Sequence, residues 1–164
     1  PKGLGIGMRN ITVSTCGIVP MILRFAEDFN QVNLAISLHA SSDEDRSAIM
    51  PINNRYDIKE VLSACDEYTK KTKRRITYEY TLVSGVNDSV QSAKRLAGLL
   101  KGKLCHVNLI PLNEVKDSGF VTVSKSKAFE FQKVLEEAGI PATIRRELGD
   151  DIDAACGQLR LNNE

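Results

Sequence analysis

The order of short β-branched runs and amphipathic helical patterns along the chain constrains its fold more than any other feature of the sequence. Five runs predict strands, and they lie at residues 10–14, 32–38, 75–83, 104–111 and 141–146. A helical pattern follows each of the first four runs. Strand–helix alternation at this spacing predicts βαβ units, and therefore an α/β fold with a parallel sheet.

The spacing of apolar residues predicts the first three helices. The first opens at Pro20. Its apolar face is predicted to consist of Met21, Ile22, Phe25 and Phe29. A short acidic helix within residues 41–50 stops at Pro51. Asp57 and Glu60 resemble a capping pair for the third helix. The predicted buried face of that helix consists of Ile58, Val61, Leu62, Cys65 and Tyr68.

Two later helices complete the pattern. Asn87 or Asp88 is expected to cap the first of them. Its inward residues are predicted to be Val90, Ala93, Ala97 and Leu100. Residues 124–138 predict the last helix, with Gly139 as its C-cap glycine.

Composition excludes several classes of protein. The chain has 164 residues, of which 42% are apolar and 26% are charged, as expected of a globular domain with a sizeable core. The net charge of +1 gives no global electrostatic case for nucleic-acid binding. The apolar runs are too short to cross a bilayer. No membrane partner is expected, and the predicted location is the cytoplasm.

The four cysteines, Cys16, Cys65, Cys105 and Cys156, are too far apart for a CxxC metal pair or a dense disulfide framework. Reduced thiols in the cytosol are therefore predicted. Cys65 and Cys105 lie on core-facing patterns and are interpreted as small hydrophobic residues. Cys156 differs, because it lies among alanines, a glycine and three aspartates. That setting favours an accessible thiol, although carboxylates oppose thiolate formation.

In parallel α/β folds, ligands bind beyond the carboxyl ends of the strands. The predicted strand ends carry small or polar groups, which are Ser14-Thr15-Cys16-Gly17, Ser37-Leu38-His39, Val86-Asn87-Asp88 and Pro111-Leu112-Asn113. The segment with Cys156 follows the fifth strand. This clustering predicts a site at one rim of the sheet.

Several residues have structural interpretations beside functional ones. His39 is either a ligand contact or a hydrogen-bonded loop residue, whereas His106 lies within a strand and is interpreted as structural. The basic run at residues 70–75 is interpreted mainly as a solvated surface opposite the rim. Arg145 and Arg146 lie nearer the rim and are the better candidates for RNA contact.

Five motifs together carry a resemblance to a known family. In chain order they are AISLHA, MPINNRY, GVNDS, VNLIPLN and DIDAACGQL. They resemble the C-terminal half of the RlmN-like adenine methyltransferases of the radical S-adenosylmethionine superfamily. The resemblance implies a partial (β/α) barrel of about five parallel strands with outer helices, which lacks its N-terminal part.

The resemblance also implies a function. The family methylates carbon 2 of an adenine in 23S rRNA, and of an adenine in tRNA. It uses S-adenosylmethionine and a [4Fe–4S] cluster, which an external electron donor reduces. Cys156 matches the family's methyl-carrying cysteine. The residues that match its S-adenosylmethionine contacts are Ser14, Ser37, Leu38, His39 and Asn113.

The chain departs from the family pattern, because its CxxxCxxC cluster motif is absent. We therefore expect residues 1–164 to be the C-terminal portion of a radical S-adenosylmethionine barrel domain, with a cysteine loop at about 147–160 and no enzymatic activity alone. An exposed sheet edge at residues 10–14 is expected to promote dimerisation. Two alternatives stay open. One is the sister activity at carbon 8 of adenine, which confers antibiotic resistance; the other is a non-catalytic α/β binding module.

Overall fold

A computed structural model describes residues 5–112 and 121–145 of the protein. In this part of the chain, five strands form one parallel sheet in the order β1-β2-β3-β4-β5. The strands are β1 (Thr12–Thr15), β2 (Asn33–Ser37), β3 (Ile76–Leu82), β4 (Cys105–Pro111) and β5 (Ala142–Ile144). The predicted α/β fold with a parallel sheet is therefore confirmed.

Helices connect each strand to the next. They are α1 (Val19–Asp28), α2 (Asp43–Ile49), α3 (Ile58–Thr72), α4 (Val90–Leu100) and α5 (Lys125–Glu137). Because parallel crossovers are right-handed and the strand order never reverses, α1, α3, α4 and α5 cover the same face of the sheet. They enclose one continuous core with the inward side chains of the strands. A parallel sheet in sequential strand order with its helices on one face is the arrangement of a partial (β/α) barrel.

One of the two predicted helix N-caps is confirmed. Asp57 and Glu60 form a reciprocal capping box: the Glu60 N–H donates to Asp57 Oδ1 at 2.7 Å, and the Asp57 N–H donates to Glu60 Oε2 at 3.0 Å. The predicted cap of α4 was wrong. Ser89 caps that helix, and its hydroxyl accepts the Ser92 N–H at 3.0 Å. The Asn87 side chain instead donates to the His39 and Thr81 carbonyls and accepts the Val83 N–H.

Three predicted core residues are exposed. Val90 lies in the first turn of α4 and faces outward, whereas Ala93, Ala97 and Leu100 are buried as predicted. Met21 and Phe29 are also exposed, with 50% and 45% of their surface accessible. Helical spacing placed these three residues on the apolar face of their helix. Whether such a residue is buried depends on whether the sheet or another helix packs against it.

The second face of the sheet is polar. The register aligns Ser37 with Glu79, Glu79 with Asn108, and Asn108 with Thr143, so one polar row crosses four strands. Side chains on this face are half-buried or exposed at most positions, while their neighbours in sequence are buried under the helices. Fully covered parallel strands are usually apolar on both faces, so this row indicates a surface available to a polar ligand.

Apolar side chains are exposed around β1 and α1. Beyond β2, no second strand pairs with β1 in the part of the chain that the structure describes. A groove of about 490 Å³ runs beside this strand, and its lining includes Val13, Met21, Phe25 and Phe29. An edge strand next to an apolar groove is a template for association.

We expect the isolated 164-residue chain to self-associate through this edge. Val13→Lys should shift the sedimentation coefficient distribution toward monomer, because a charged side chain on an edge strand opposes strand pairing. Val121→Lys is the control, since Val121 is also exposed to solvent, at 61% against 39% for Val13, and lies outside β1. A monodisperse wild-type monomer at all concentrations would contradict the prediction.

Candidate functional site

The carboxyl ends of β1 and β2 bring together two predicted site residues, Ser14 and Ser37. Both hydroxyl groups donate to the same carboxylate oxygen, Glu79 Oε2, at 3.0 and 3.3 Å respectively. Glu79 belongs to β3, which pairs with β2, so the three side chains come from three consecutive strands. The sheet therefore places a carboxylate behind two serine hydroxyls on its polar face.

The backbone of Glu79 organises the next two predicted residues. Its carbonyl oxygen accepts the Leu38 N–H at 3.0 Å and the His39 N–H at 3.1 Å. The Leu38 side chain is fully buried on the helix side of the sheet. In this geometry Leu38 holds the backbone between Ser37 and His39, and its assignment as a ligand contact stays a prediction.

His39 has a defined ring orientation. Its backbone is left-handed, with φ of 58°, a conformation that histidine adopts more readily than most residues. The ring Nδ1 accepts the Thr81 N–H at 3.1 Å, so the neutral ring carries its proton on Nε2. Burial lowers the pKa of His39, with the Glu79 charge opposing and the Arg46 charge adding to that shift. His39 therefore presents an N–H donor at neutral pH.

We expect this histidine to make stability depend on pH. Its pKa is lower in the folded chain than in the unfolded chain, where it is about 6.5. As the pH falls below that value, the unfolded state gains a proton that the folded state lacks, so the free energy of unfolding decreases. His39→Asn keeps an acceptor and tolerates the left-handed backbone, but cannot titrate.

The measurement is urea unfolding at about pH 7.5 and about pH 5.5 for both chains. The wild type should lose more stability than His39→Asn over this interval. His106, whose pKa is also lowered by burial, is present in both chains and cancels in the comparison. Equal losses would show that His39 does not contribute to the pH dependence.

The GVNDS loop, residues 85–89, holds the backbone of His39 through the side chain of Asn87. Asn87 is fully buried, and its side-chain amide donates to the His39 carbonyl at 2.8 Å and to the Thr81 carbonyl at 2.7 Å. Its Oδ1 accepts the Val83 N–H at 2.8 Å. The Tyr80 hydroxyl donates to the Asn87 carbonyl at 3.0 Å. This loop was predicted to contribute to the rim, and its asparagine ties the end of β3 to the turn after β2.

A buried arginine joins the ends of β1 and β2. The guanidinium of Arg46 is fully buried and donates to the Cys16 carbonyl at 2.7 Å and the Leu38 carbonyl at 3.1 Å. It also donates to Asn53 Oδ1 at 2.9 Å and the Tyr56 carbonyl at 3.2 Å. Burial lowers its pKa. Because the cation binds both strand-end loops at once, it fixes their separation.

Gly17 is required beside this arginine. Its φ of 100° lies in the region that favours glycine, and an added Cβ would lie 2.9 Å from a Val61 methyl group and 3.2 Å from Arg46 Nη2. The STCG turn therefore follows its path because residue 17 has no side chain.

The predicted site residues divide into two groups. Ser14, Ser37, Leu38 and His39 lie together at the ends of β1 and β2. Asn113 and Cys156 lie outside the described residues, as does Arg146. Sequence reasoning missed Glu79 and Arg46.

A signal for Glu79 was present in the sequence. The segment ITYEYTL alternates apolar and polar residues, which predicts a strand with one polar face and places Glu79 on it. For Arg46 there was no comparable signal, because a short acidic helix is normally solvated. Its burial follows from the docking of α2 against the strand ends.

The remaining predicted features lie where the sequence suggested. Cys65 and Cys105 are buried, and burial raises the pKa of the Cys65 thiol to about 12. The basic run joins the end of α3 to the start of β3, opposite the rim. Within it, Lys71 pairs with Glu27 at 3.1 Å. In residues 5–112 and 121–145, no helix is both long and apolar enough to cross a membrane.

Comparison with known proteins finds similar sequences and similar folds. No family model matches the chain. It is 57% identical over 160 residues to a protein of Thermoanaerobacter sp. (strain X514) named "Probable dual-specificity RNA methyltransferase RlmN", covering 98% of this chain and 47% of that protein. A Clostridium perfringens (strain SM101 / Type A) protein of the same name is 59% identical over 158 residues, covering 96% of this chain and 46% of its own length.

Solved structures agree with these relatives. A radical SAM methyltransferase from Sphaerobacter thermophilus superposes with a TM-score of 0.91 at 52% identity, over 95% of this chain and 46% of that one. A domain of a pyruvate-formate lyase-activating enzyme from Bacteroides vulgatus has a TM-score of 0.62 at 18% identity, which shows a shared fold alone. The chain spans about half the length of the curated relatives that it matches. By sequence and by fold, the chain is a close relative of the RlmN-named dual-specificity RNA methyltransferases over that half of their length.

Proposed function

We propose that this chain is the C-terminal half of a cytoplasmic RNA methyltransferase that methylates carbon 2 of an adenine in 23S rRNA and in tRNA. Its identity to relatives named as dual-specificity RNA methyltransferases, over nearly all of its residues, is the observation that carries the proposal. The polar rim supports it independently, because Ser14, Ser37 and His39 converge there as a ligand site requires.

S-adenosylmethionine is the proposed methyl donor at this rim, and its sulfonium supplies the methyl group. The chain offers this ligand one hydrogen-bond donor and two acceptors. The His39 ring offers an N–H donor from Nε2, because Nδ1 is occupied by Thr81. The hydroxyl oxygens of Ser14 and Ser37 offer acceptors. Arg46 holds the loops that carry these groups at a fixed distance, so the ligand meets a preorganised surface.

Cys156 is the proposed methyl carrier. Carbon 2 of adenine is a poor nucleophile, whereas a thiolate attacks a sulfonium methyl directly. In that step a bond forms between Cys156 Sγ and the methyl carbon, the bond from the sulfonium sulfur to that carbon breaks, and S-adenosylhomocysteine leaves. Small neighbours at Ala154, Ala155 and Gly157 suit a residue that must reach both the donor and the RNA base.

The described residues do not fit an iron–sulfur cluster. They contain no group of three or more histidine, cysteine or acidic side chains that could hold a metal ion, and Cys65 and Cys105 are buried under the helices. Such clusters are held by cysteine thiolates. We therefore propose that the [4Fe–4S] cluster, reduced by an external electron donor, is held by residues other than those that the structure describes.

RNA contact is proposed at the rim side of the sheet. Arg145 follows β5 and is exposed, and its N–H donates to the Leu109 carbonyl at 2.8 Å, which orients the chain past the strand end. A cation there can pair with a phosphate near the methyl donor. The basic run between α3 and β3 lies at the opposite end of the sheet and is not assigned to the RNA.

The test is complementation of a strain lacking this methylation with the full-length gene that contains the chain. Mass spectrometry of digested 23S rRNA and tRNA should detect 2-methyladenosine. Detection of 8-methyladenosine instead would reassign the enzyme to the sister activity. Failure to methylate either RNA, with the protein folded and expressed, would overturn the proposal and favour a non-catalytic binding module.

A further inference from the structure

We infer that Glu79 is a positioning residue that fixes Ser14 and Ser37 as hydrogen-bond acceptors, so that this serine pair binds a donor group of S-adenosylmethionine. The inference rests on the proposed function, since it specifies how the methyl donor is held. Glu79 matches none of the residues that the sequence motifs assigned to ligand contact.

Glu79 contacts both serines and the backbone that follows Ser37. Its Oε2 accepts both serine hydroxyls, at 3.0 Å from Ser14 and 3.3 Å from Ser37. Its backbone carbonyl accepts the N–H groups of Leu38 and His39. One residue of β3 thus touches the end of β1 and three consecutive residues at the end of β2. Within residues 5–112 and 121–145, the Glu79 side chain thus links Ser14 to Ser37 directly.

Hydrogen-bond polarity follows from this arrangement. A carboxylate oxygen only accepts, and a serine hydroxyl has one hydrogen to donate. When Ser14 and Ser37 both give that hydrogen to Glu79, each oxygen keeps only lone pairs for a ligand. The serine pair then attracts N–H or O–H donors and repels the α-carboxylate of the methionine moiety. The negative charge behind the pair strengthens this preference.

S-adenosylmethionine has two groups that fit such an acceptor pair. They are the α-ammonium and the hydroxyl groups of the ribose. Both groups donate hydrogen bonds, so each of them fits the two serine oxygens. A binding comparison separates them, because 5′-methylthioadenosine keeps the ribose hydroxyls and lacks the ammonium.

The experiment uses Glu79→Met in the full-length protein. Methionine is close to glutamate in length but has only a weakly accepting thioether, so both serine hydroxyls lose the carboxylate oxygen that they share. We expect the Kd for S-adenosylmethionine, measured by isothermal titration calorimetry, to rise at least about tenfold. If the Kd for 5′-methylthioadenosine rises equally, the serines bind the ribose; if it is unchanged, they bind the ammonium.

A double-mutant cycle separates positioning from a general structural role. In a Ser14→Ala, Ser37→Ala background, Glu79→Met should change the Kd by less than about twofold, because the groups it acts through are gone. Glu67→Met makes the same substitution at an exposed position of α3, on the helix side of the sheet, and should leave the Kd unchanged. Thermal unfolding of each variant verifies folding.

Three results would overturn the inference. The first is wild-type-like S-adenosylmethionine affinity in Glu79→Met while the wild type binds normally; the proposed function would then stand without this inference. The second is an effect of Glu79→Met that is equally large when both serines have been replaced. The third is absence of S-adenosylmethionine binding by the wild type itself, which would remove the proposed function and this inference together.

Discussion

Replacing Cys156 with alanine in the full-length protein is expected to abolish methyl transfer to RNA while the protein stays folded. Alanine removes only the sulfur, and Ala154 and Ala155 already precede the residue, so the cost in stability should be small. The chemical loss is complete, because no neighbouring side chain can take a methyl group from a sulfonium as a thiolate does. Methyl incorporation into RNA and a search for S-methylcysteine by peptide mass spectrometry are the measurements.

Cys16→Ala is the matched control. The Cys16 residue serves the site through its backbone carbonyl, which accepts from Arg46 at 2.7 Å, and alanine keeps that carbonyl. Methylation by Cys16→Ala should therefore stay close to the wild-type rate. Near-normal methylation by Cys156→Ala, or a methyl group found on Cys16, would show that the methyl carrier has been assigned to the wrong cysteine.

Arg46→Leu is expected to lower the free energy of unfolding by about 3 kcal/mol, since each buried polar group left without a partner costs roughly 1–3 kcal/mol. The substitution leaves the Cys16 and Leu38 carbonyls, Asn53 Oδ1 and the Tyr56 carbonyl without their donor. Relief of the desolvation cost of the buried cation offsets part of the loss. Urea unfolding monitored by circular dichroism measures the change.

Two further variants make the Arg46 prediction specific. Arg46→Lys keeps the charge but lacks the planar fork of donors, so an intermediate loss is expected. Arg24→Leu removes an exposed arginine of α1 that pairs with Asp28 on the same helix, and a change below about 0.5 kcal/mol is expected. If Arg46→Leu costs no more than Arg24→Leu, the buried guanidinium does not hold the strand-end loops together.

Local sequence signals predicted the elements well because they act over a few residues. Alternation of strand and helix patterns predicted the parallel sheet, and the Asp57–Glu60 pair predicted a capping box that the structure contains. Local signals were less successful where several candidates competed. Asn87, Asp88 and Ser89 are all good N-cap residues, and Ser89 caps α4 because Asn87 is occupied by the His39 and Thr81 carbonyls.

Long-range placement could not be predicted from local patterns. Met21 and Phe29 have the apolar character of core residues, yet they are exposed, because within the described residues the layer beside α1 ends at β1. Arg46 has the character of a surface residue, yet it is fully buried, because α2 docks over the ends of β1 and β2. In both cases the environment is set by residues distant in sequence.

The sequence by itself determined the α/β architecture, the strand order along the chain, and the rim at which Ser14, Ser37 and His39 lie. Those features follow from periodicity and from the rule that parallel strands end on one side of a sheet. Only the tertiary structure decided that one carboxylate, on Glu79, receives both serine hydroxyls, and that one guanidinium, on Arg46, binds both strand-end loops. Glu79 is 65 residues from Ser14 and 42 residues from Ser37 in the sequence. Arg46 is 30 residues from Cys16 and 8 residues from Leu38. Hydrogen-bond partners across such separations are set by strand register and helix docking, which exist only once the chain has folded.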